Sequence, residues 1–455
     1  MINELLRWLN ASTCNALAVD TIEKELKAAH FKYLDPADIW HIRPDSRYYT
    51  IVNNTAIFAF ITGTDDVAEH GFHIIASHSD SPCLKLKPNA DIYCEGGALK
   101  LNVEKYGGGI LYTWFDRPLS ISGRVALRSD NPLKPNIVTI DLNRAIATIP
   151  HLAIHFNRAV NEGNPISVQR DMLPVAGVFS EQEINQFKAA GGFVKYLIAT
   201  HFDISADEIL DYELCLYPLD KAKYIGENDS LFQSGRIDDL SMAFASLRAL
   251  LDAADTPCEA TRVMAVFDNE ETGSGTKQGA GSPVLASMLE RICHQSDNAK
   301  ALNCTAYINC VDDPQLEPQK SEVWHRAIAS SFMISADDAH AWHPNYDGKY
   351  DPTNHALMGH GPAIKINANC KYMTDADSAA VFRVICEKAG VPVQYFVNHS
   401  DVAGGSTLGN ILTGQMPLRG VDMGAPIWAM HSAAETASCR DHKYTVAAFT
   451  TFYKL

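Results

Sequence analysis

Positive charge is scarce in this chain. Its 38 Lys and Arg stand against 54 Asp and Glu, a formal net charge of −16 at pH 7, so it lacks the basic face that nucleic acid or an anionic membrane surface requires. Long apolar runs are missing too. No segment approaches the roughly 18 uninterrupted apolar residues of a membrane span. The opening MINELLRWLNASTCNALAVD carries Glu4 and Arg7 within its apolar stretch, as an amphipathic helix does and a signal peptide does not. A cytoplasmic location is the expectation. The 11 cysteines are odd in number, scattered and never spaced C-x-x-C, which argues against both a disulfide framework and a thiolate zinc knuckle. Most read as small buried hydrophobes. Internal repeats, low-complexity tracts and flexible linkers are absent as well.

What is present is a globular balance, 46% hydrophobic and 20% charged, in a chain of 455 residues. That is too long for one ordinary core and implies two domains or one domain with a large insertion. Residues 1–90 have α/β character, with strand patterns at 51–62 and 73–77. From 225 to 455 helical patterns (240–254, 376–388, 444–455) alternate with buried-strand patterns (262–267, 304–308, 331–335, 363–367, 394–397). A largely parallel sheet flanked by helices reads this way. Residues 91–224 differ, with Gly96-Gly97, Gly107-Gly108-Gly109, several Pro and short β-like runs at 121–127 and 136–140. The expectation is an inserted β-rich domain that contacts substrate or another subunit.

Chemistry concentrates where apolar runs end. The run from Arg262 to Phe267 leads into Asp268-Asn-Glu270-Glu271-Thr-Gly, and the carboxyl ends of strands are where open α/β sheets bind ligands. Neighbours on an extended chain point opposite ways, so one glutamate is free to ligate metal while the other moves protons; the plain alternative is a solvated acidic turn. His78-Ser-Asp80 follows another strand pattern, with Asp80 close enough to orient the imidazole or simply to make a turn. In Gly235-Arg-Ile-Asp238-Asp239-Leu, an aspartate that only caps the helix is the plain reading, and adjacency also lets Asp239 cap while Asp238 stays free for metal. Asp337-Asp-Ala-His340-Ala-Trp-His343 packs two aspartates and two histidines into seven residues, a density unlike core. His431 lies in an apolar context that also fits a satisfied core histidine. Histidines and carboxylates without cysteine are the ligands of catalytic, water-activating zinc, in pairs when a carboxylate bridges two ions.

These blocks resemble the aspartyl aminopeptidase family of dinuclear zinc peptidases, which includes the vacuolar aminopeptidases. The resemblance spans essentially the whole chain, through His78-Ser-Asp-Ser-Pro-Cys, Val103-Glu-Lys-Tyr-Gly-Gly, Trp114-Phe-Asp-Arg-Pro-Leu, Leu152-Ala-Ile-His155-Phe-Asn-Arg, Asp268-Asn-Glu-Glu-Thr-Gly-Ser, Ser331-Phe-Met-Ile-Ser-Ala-Asp337, Gly361-Pro-Ala-Ile-Lys365 and Ala429-Met-His431-Ser. It implies that His78 and Asp337 bind one Zn2+, that Glu271 and His431 bind a second, and that Asp238 bridges them, with Mn2+ or Co2+ able to substitute. By the same resemblance Glu270 is the catalytic base, Asp80 orients His78, and His340 stands beside the metals. His155 in the inserted, dimerising domain serves the site of a neighbouring subunit, and Lys365 meets the acidic side chain of the substrate. The family implies removal of an N-terminal Asp or Glu from peptides, within dimers assembled into a tetrahedral dodecamer. Aspartate follows Asp238 where the family has asparagine, and Val402-Ala-Gly-Gly occupies a pocket-forming loop; both bear on substrate preference and not on zinc. A dinuclear carboxypeptidase or deacylase and an inactive oligomeric shell are the alternatives, while adjacent glutamates are ill placed to flank a glycosidic bond.

Overall fold

The apolar run that ends at Phe267 becomes the strand Thr261–Phe267, buried at every residue. Its side chains alternate between two cores: Met264 and Val266 join the apolar cluster on one face of the sheet, and Val263, Ala265 and Phe267 join that on the other. A strand covered on both faces has no polar side to show, so its sequence is uninterrupted hydrophobicity. The computed structural model describes residues 1–295 and 316–455.

Among the described residues this strand belongs to a nine-stranded sheet in the order Lys32–Tyr33, Arg47–Val52, Ala56–Ile61, Thr261–Phe267, Phe72–His78, Phe332–Ala336, Arg419–Gly424, Ala363–Lys365, Gln394–Phe396. The centre is parallel, with Thr261–Phe267, Phe72–His78, Phe332–Ala336 and Arg419–Gly424 side by side in one direction. Antiparallel pairing enters toward the margins. Helices Ile237–Ala253 and Cys439–Phe452 bring Leu240, Phe244, Leu247 and Phe449 onto Ile334 and Val421 on one face. On the other face Leu285, Leu289 and Ile292 of helix Val284–Gln295 share a core with Phe58, Phe60 and Ile74. Each such side chain contributes roughly 1.5–3 kcal/mol by burial, so the sheet is held from both sides and its strand ends are rigid supports. The α/β expectation holds.

Some boundaries move. The stretch 51–62 is the second half of a hairpin, Arg47–Val52 paired with Ala56–Ile61, and Asn53 and Asn54 turn the chain with φ of 54° and 58°. Consecutive left-handed residues of this kind make the turn that matches strand twist. The last helix starts at Cys439, where the Ser438 hydroxyl accepts from the N–H groups of Arg440 and Asp441, earlier than its apolar periodicity shows. The strand expected at 304–308 lies outside the described residues.

Strands between Cys83 and Pro218 form a second sheet of six, in the order Asn136–Asp141, Leu119–Leu127, Ile209–Pro218, Cys83–Tyr93, Ala98–Tyr106, Val175–Val178. Every neighbouring pair is antiparallel. It has its own core, with Leu84, Leu101, Val103, Ile121, Leu214 and Leu216 against Phe187, Phe193 and Leu197 of helices Glu181–Ala189 and Phe193–Phe202. A third sheet contains Leu231–Ser234, Glu435–Ser438, Pro426–Trp428 and Ala339–His340. Cys14, Cys83, Cys94, Cys215, Cys258, Cys370, Cys386 and Cys439 are free thiols, and of these Cys14, Cys258, Cys386 and Cys439 are buried. No helix among the described residues is long and apolar enough to cross a membrane.

Candidate active site

The parallel centre of the large sheet delivers three chain segments to one edge. His78 closes strand Phe72–His78, Asp337 follows Phe332–Ala336, and Glu270 and Glu271 follow Thr261–Phe267 after Asp268 and Asn269. Asn269 turns the chain with φ 63°, a conformation that Asn tolerates better than most residues. Two further segments arrive from the sides: Asp238 at the start of helix Ile237–Ala253, and His431 in the turn between Pro426–Trp428 and Glu435–Ser438.

These side chains converge. Ligand atoms of His78, Asp238, Asp239 and Asp337 lie within 4.8 Å of one another, as do those of His78, Glu270 and Glu271, and those of Asp238, Glu271 and His431. Asp238 stands at the junction, with Oδ1 3.6 Å from His78 Nε2 and Oδ2 3.2 Å from His431 Nε2. Glu271 Oε1 lies 3.3 Å from His431 Nε2.

The electrostatics show what this cluster needs. Burial would raise Asp238, but His431 and His78 outweigh it and hold the carboxyl well below the ordinary range. Burial pushes Glu271 up to about 9 and Glu270 to about 7, with nearby carboxylates adding to both. His431 is driven the other way, to about 10, because Asp238 and Glu271 outweigh its burial. So many carboxylates out of water require positive charge among them. Asp238 Oδ1 and Glu271 Oε1 accept no hydrogen bond although buried, and buried acceptors of this kind call for a partner. Imidazole and carboxylate donors, with no thiolate among them, suit zinc in a catalytic setting.

Around the cluster runs a supporting layer. Asp80 Oδ1 lies 3.3 Å from His78 Nδ1, and the same carboxylate accepts the Tyr106 hydroxyl at 2.6 Å and the N–H groups of Glu270 and Glu271 at 3.1 and 3.2 Å. Gly108 O faces His431 Nδ1 at 3.3 Å. The backbone of Asp239 stands where a cap would, non-helical just before the regular turns, but its side chain caps nothing: one carboxylate oxygen accepts the His78 N–H at 3.0 Å and the other has no hydrogen-bond partner. Glu435 accepts from Ile237, Asp238 and His431 N–H. Tyr106 and Glu435 were not legible as site residues. Tyr106 belongs to the second sheet, and only the Val103-Glu-Lys-Tyr motif hinted at it; for Glu435 the available signal was a lone acid opening a buried strand.

The remaining expected residues fall at different places. Lys365, almost wholly buried, has its Nζ 3.3 Å from Asp337 Oδ2 and 5.8 Å from the Tyr372 ring centre. His340 lies outside the three ligand groups; its ring meets Phe396 edge-on at 5.8 Å. One side is open to solvent, yet the protein around it, with Lys365 adding repulsion, pushes the imidazole down to about 4. His155 is not brought to the cluster of its own chain. It is exposed in a turn beside Leu152, Ile154 and Phe156, which are 60%, 53% and 81% exposed.

The profile of the family described as Aminopeptidase I zinc metalloprotease (M18) matches residues 8–453. A probable M18 family aminopeptidase 2 from Clostridium novyi (strain NT) is 42% identical over 453 residues, covering 100% of this chain and 98% of its own. Among solved structures, the Ape4 and Nbr1 complex contains a chain 32% identical with a TM-score of 0.90, over 99% of this chain and 85% of that one. The S. cerevisiae mApe1 dodecamer is 25% identical with a TM-score of 0.82, over 99% and 96%.

Proposed function

Because this chain belongs to the M18 family of zinc aminopeptidases, we propose that it is a cytoplasmic enzyme of the aspartyl type, removing N-terminal Asp or Glu from peptides with two Zn2+ per subunit. The observation that carries this reading is the two-sided contact of Asp238, one oxygen toward His78 and the other toward His431. A carboxylate placed in this way would be shared by a pair of ions. His78 and Asp337 would hold one ion, and Glu271 and His431 the other. With oxygen and nitrogen donors only, Mn2+ or Co2+ would substitute. Residues 1–90 and 225–455 form the catalytic domain in this reading, and 91–224 the inserted dimerisation domain.

When bound, the zinc pair supplies Lewis acidity and makes water nucleophilic near neutral pH. Glu270, beside the ligands but outside the His431 group, accepts the proton of the attacking water and returns it to the leaving amine. Asp80 holds the imidazole of His78 through Nδ1, so that Nε2 faces the cluster. His155 of a neighbouring subunit donates to the carbonyl oxygen as it gains charge. The exposed Leu152, Ile154 and Phe156 beside it support burial of that turn against another copy, and the dodecamer formed by the mApe1 relative supports dimers assembled into a tetrahedral dodecamer. His340 stands beside the metals, and Lys365 pairs with the acidic side chain of the substrate.

A second reading, neutral or broad specificity, draws on the Lys365–Asp337 contact, since a cation already paired has less charge to offer. The deciding experiment is a kinetic scan over N-terminal residues with zinc-loaded protein, using free-amine and N-acetylated peptides. Preference for Asp and Glu with a free amine supports the aspartyl reading. Preference for Leu favours the second, and turnover of the acetylated series overturns both.

A further inference from the structure

Two turns carry Asp238 and His431, and neither is held by a regular backbone ladder at those residues. Arg236, Ala429 and His431 all have positive φ, 62°, 55° and 67°, a left-handed conformation that side chains other than Gly, Asn and Asp disfavour. Something must hold these turns in shape. The register of the third sheet shows what does. Glu435 pairs with Ser234 across adjacent strands, directly before Gly235 and Arg236, and its side chain is 1% exposed. Glu435 Oε2 accepts the N–H groups of Ile237 at 2.6 Å and Asp238 at 3.1 Å, while Oε1 accepts that of His431 at 2.6 Å. The connection between strands Ala98–Tyr106 and Leu119–Leu127 also grips the His431 turn: Ile110 N–H donates to His431 O at 2.9 Å, and Ala433 N–H donates to Thr113 Oγ1 at 2.9 Å.

We propose that Glu435 is a positioning residue that sets the separation of Asp238 and His431, by accepting backbone N–H groups from both turns on its two carboxylate oxygens, before any metal binds. The inference deepens the proposed function and rests on the reading of Asp238 and His431 as ligands of zinc. The chemistry is specific to a carboxylate. Both of its oxygens are acceptors, whereas a glutamine in the same volume offers one acceptor and one donor, so either orientation of the amide sets N–H against N–H at one of the turns. Glu435→Gln therefore loosens one ligand segment and leaves the side chain's size unchanged.

The test combines zinc affinity with amide exchange. Competition with a chelator is expected to show zinc bound roughly 10–100-fold more weakly in E435Q, the usual consequence of losing an outer-sphere partner. At saturating zinc, the peptide KM should stay near its wild-type value. F449L, a core variant on the Cys439–Phe452 helix, serves as the stability control and should keep wild-type zinc affinity. In zinc-free wild type, the amides of Ile237, Asp238 and His431 should exchange as slowly as those of the central strands, and in E435Q those of one turn should exchange faster. This measurement decides the matter even if E435Q does not accumulate as folded protein. Wild-type zinc affinity in E435Q overturns the proposal, and so do amides that are protected in wild type only after zinc is added. If wild type binds no zinc at Asp238 and His431, it is the ligand reading that fails, and the exchange pattern of the zinc-free protein still reports whether Glu435 holds the turns.

Discussion

Lys365 Nζ lies 3.3 Å from Asp337 Oδ2, with both side chains almost entirely out of water. The pair places a lysine at the wall of the candidate centre, with burial countered by Asp337, Tyr372 and Asp422, so that its ammonium remains charged. A buried cation next to a ligand carboxylate has two possible clients: that carboxylate, or an acidic substrate side chain reaching the same corner. Lys365→Met separates them. If the substrate is the client, kcat/KM falls roughly 10–100-fold more for Asp and Glu substrates than for Leu substrates, the scale of one hydrogen bond to a charged group. Equal losses, together with lower zinc content, would assign Lys365 to Asp337 alone.

In the proposed mechanism Glu270 moves the proton and Glu271 binds metal; both share a group with His78, and Glu271 also joins the group of Asp238 and His431. Glu270→Gln should lower kcat by at least roughly 10²–10⁴-fold, the range of general-base catalysis, while zinc content stays at the wild-type level. Glu271→Gln should lower zinc content itself. Metal analysis beside single-substrate kinetics distinguishes the two, and zinc loss in Glu270→Gln would reverse the assignment.

His155 stands exposed and away from its own chain's cluster, flanked by Leu152, Ile154 and Phe156. Phe156→Asp should weaken self-association, as followed by sedimentation, and activity should fall with it. His155→Ala should leave association intact and lower kcat roughly 10²–10³-fold, as loss of one oxyanion donor does. Full activity in a monomeric Phe156→Asp variant would remove His155 from the mechanism.

Two histidines outside the centre, His442 buried and His73 half-buried, make an acid-sensitive contribution to the fold's stability. Burial pushes His73, whose ring packs on Phe452 at 5.0 Å, down to about 4. His442, with neither ring nitrogen hydrogen-bonded and Phe244 at 5.7 Å, is pushed to about 3. In the unfolded chain both protonate near their ordinary value of 6.5. Between that pH and about 4 the unfolded chain protonates these two histidines and the folded one does not, so their contribution to stability is lost as the solution is acidified. Glu270 and Glu271, raised to about 7 and about 9, act in the opposite sense in zinc-free protein, so the histidine contribution is read as a difference in thermal unfolding. On acidification across this window Tm should change less favourably in wild type than in the double variant His73→Phe, His442→Phe. An unchanged slope would contradict the assignment.

Part of the candidate centre was legible because three of its segments close or follow strands with a strong local signature. The strands before His78, Glu270 and Asp337 are buried on both faces and therefore announce themselves as apolar runs. What lay beyond reach was convergence from a distance. Asp239 looked like a cap because an acid before an apolar helix usually is one, whereas here the N–H of His78, far away in sequence, takes its carboxylate. Tyr106 and Glu435 act through contacts made only when the second and third sheets meet the first, and no periodicity records such a contact. The hairpin at Asn53-Asn54 was hidden for a simpler reason: two polar residues between apolar runs interrupt a pattern less visibly than glycine or proline does.

The central claim is that His78, Asp238, Asp337, Glu271 and His431 surround a pair of divalent ions. Anomalous diffraction at the zinc edge from crystals of zinc-loaded protein tests it without reference to activity. Two peaks per subunit are expected, about 3.5–4 Å apart as in bridged pairs, one beside His78 and Asp337 and the other beside Glu271 and His431, with Asp238 between them. A single peak, or a second peak remote from His431, would contradict it.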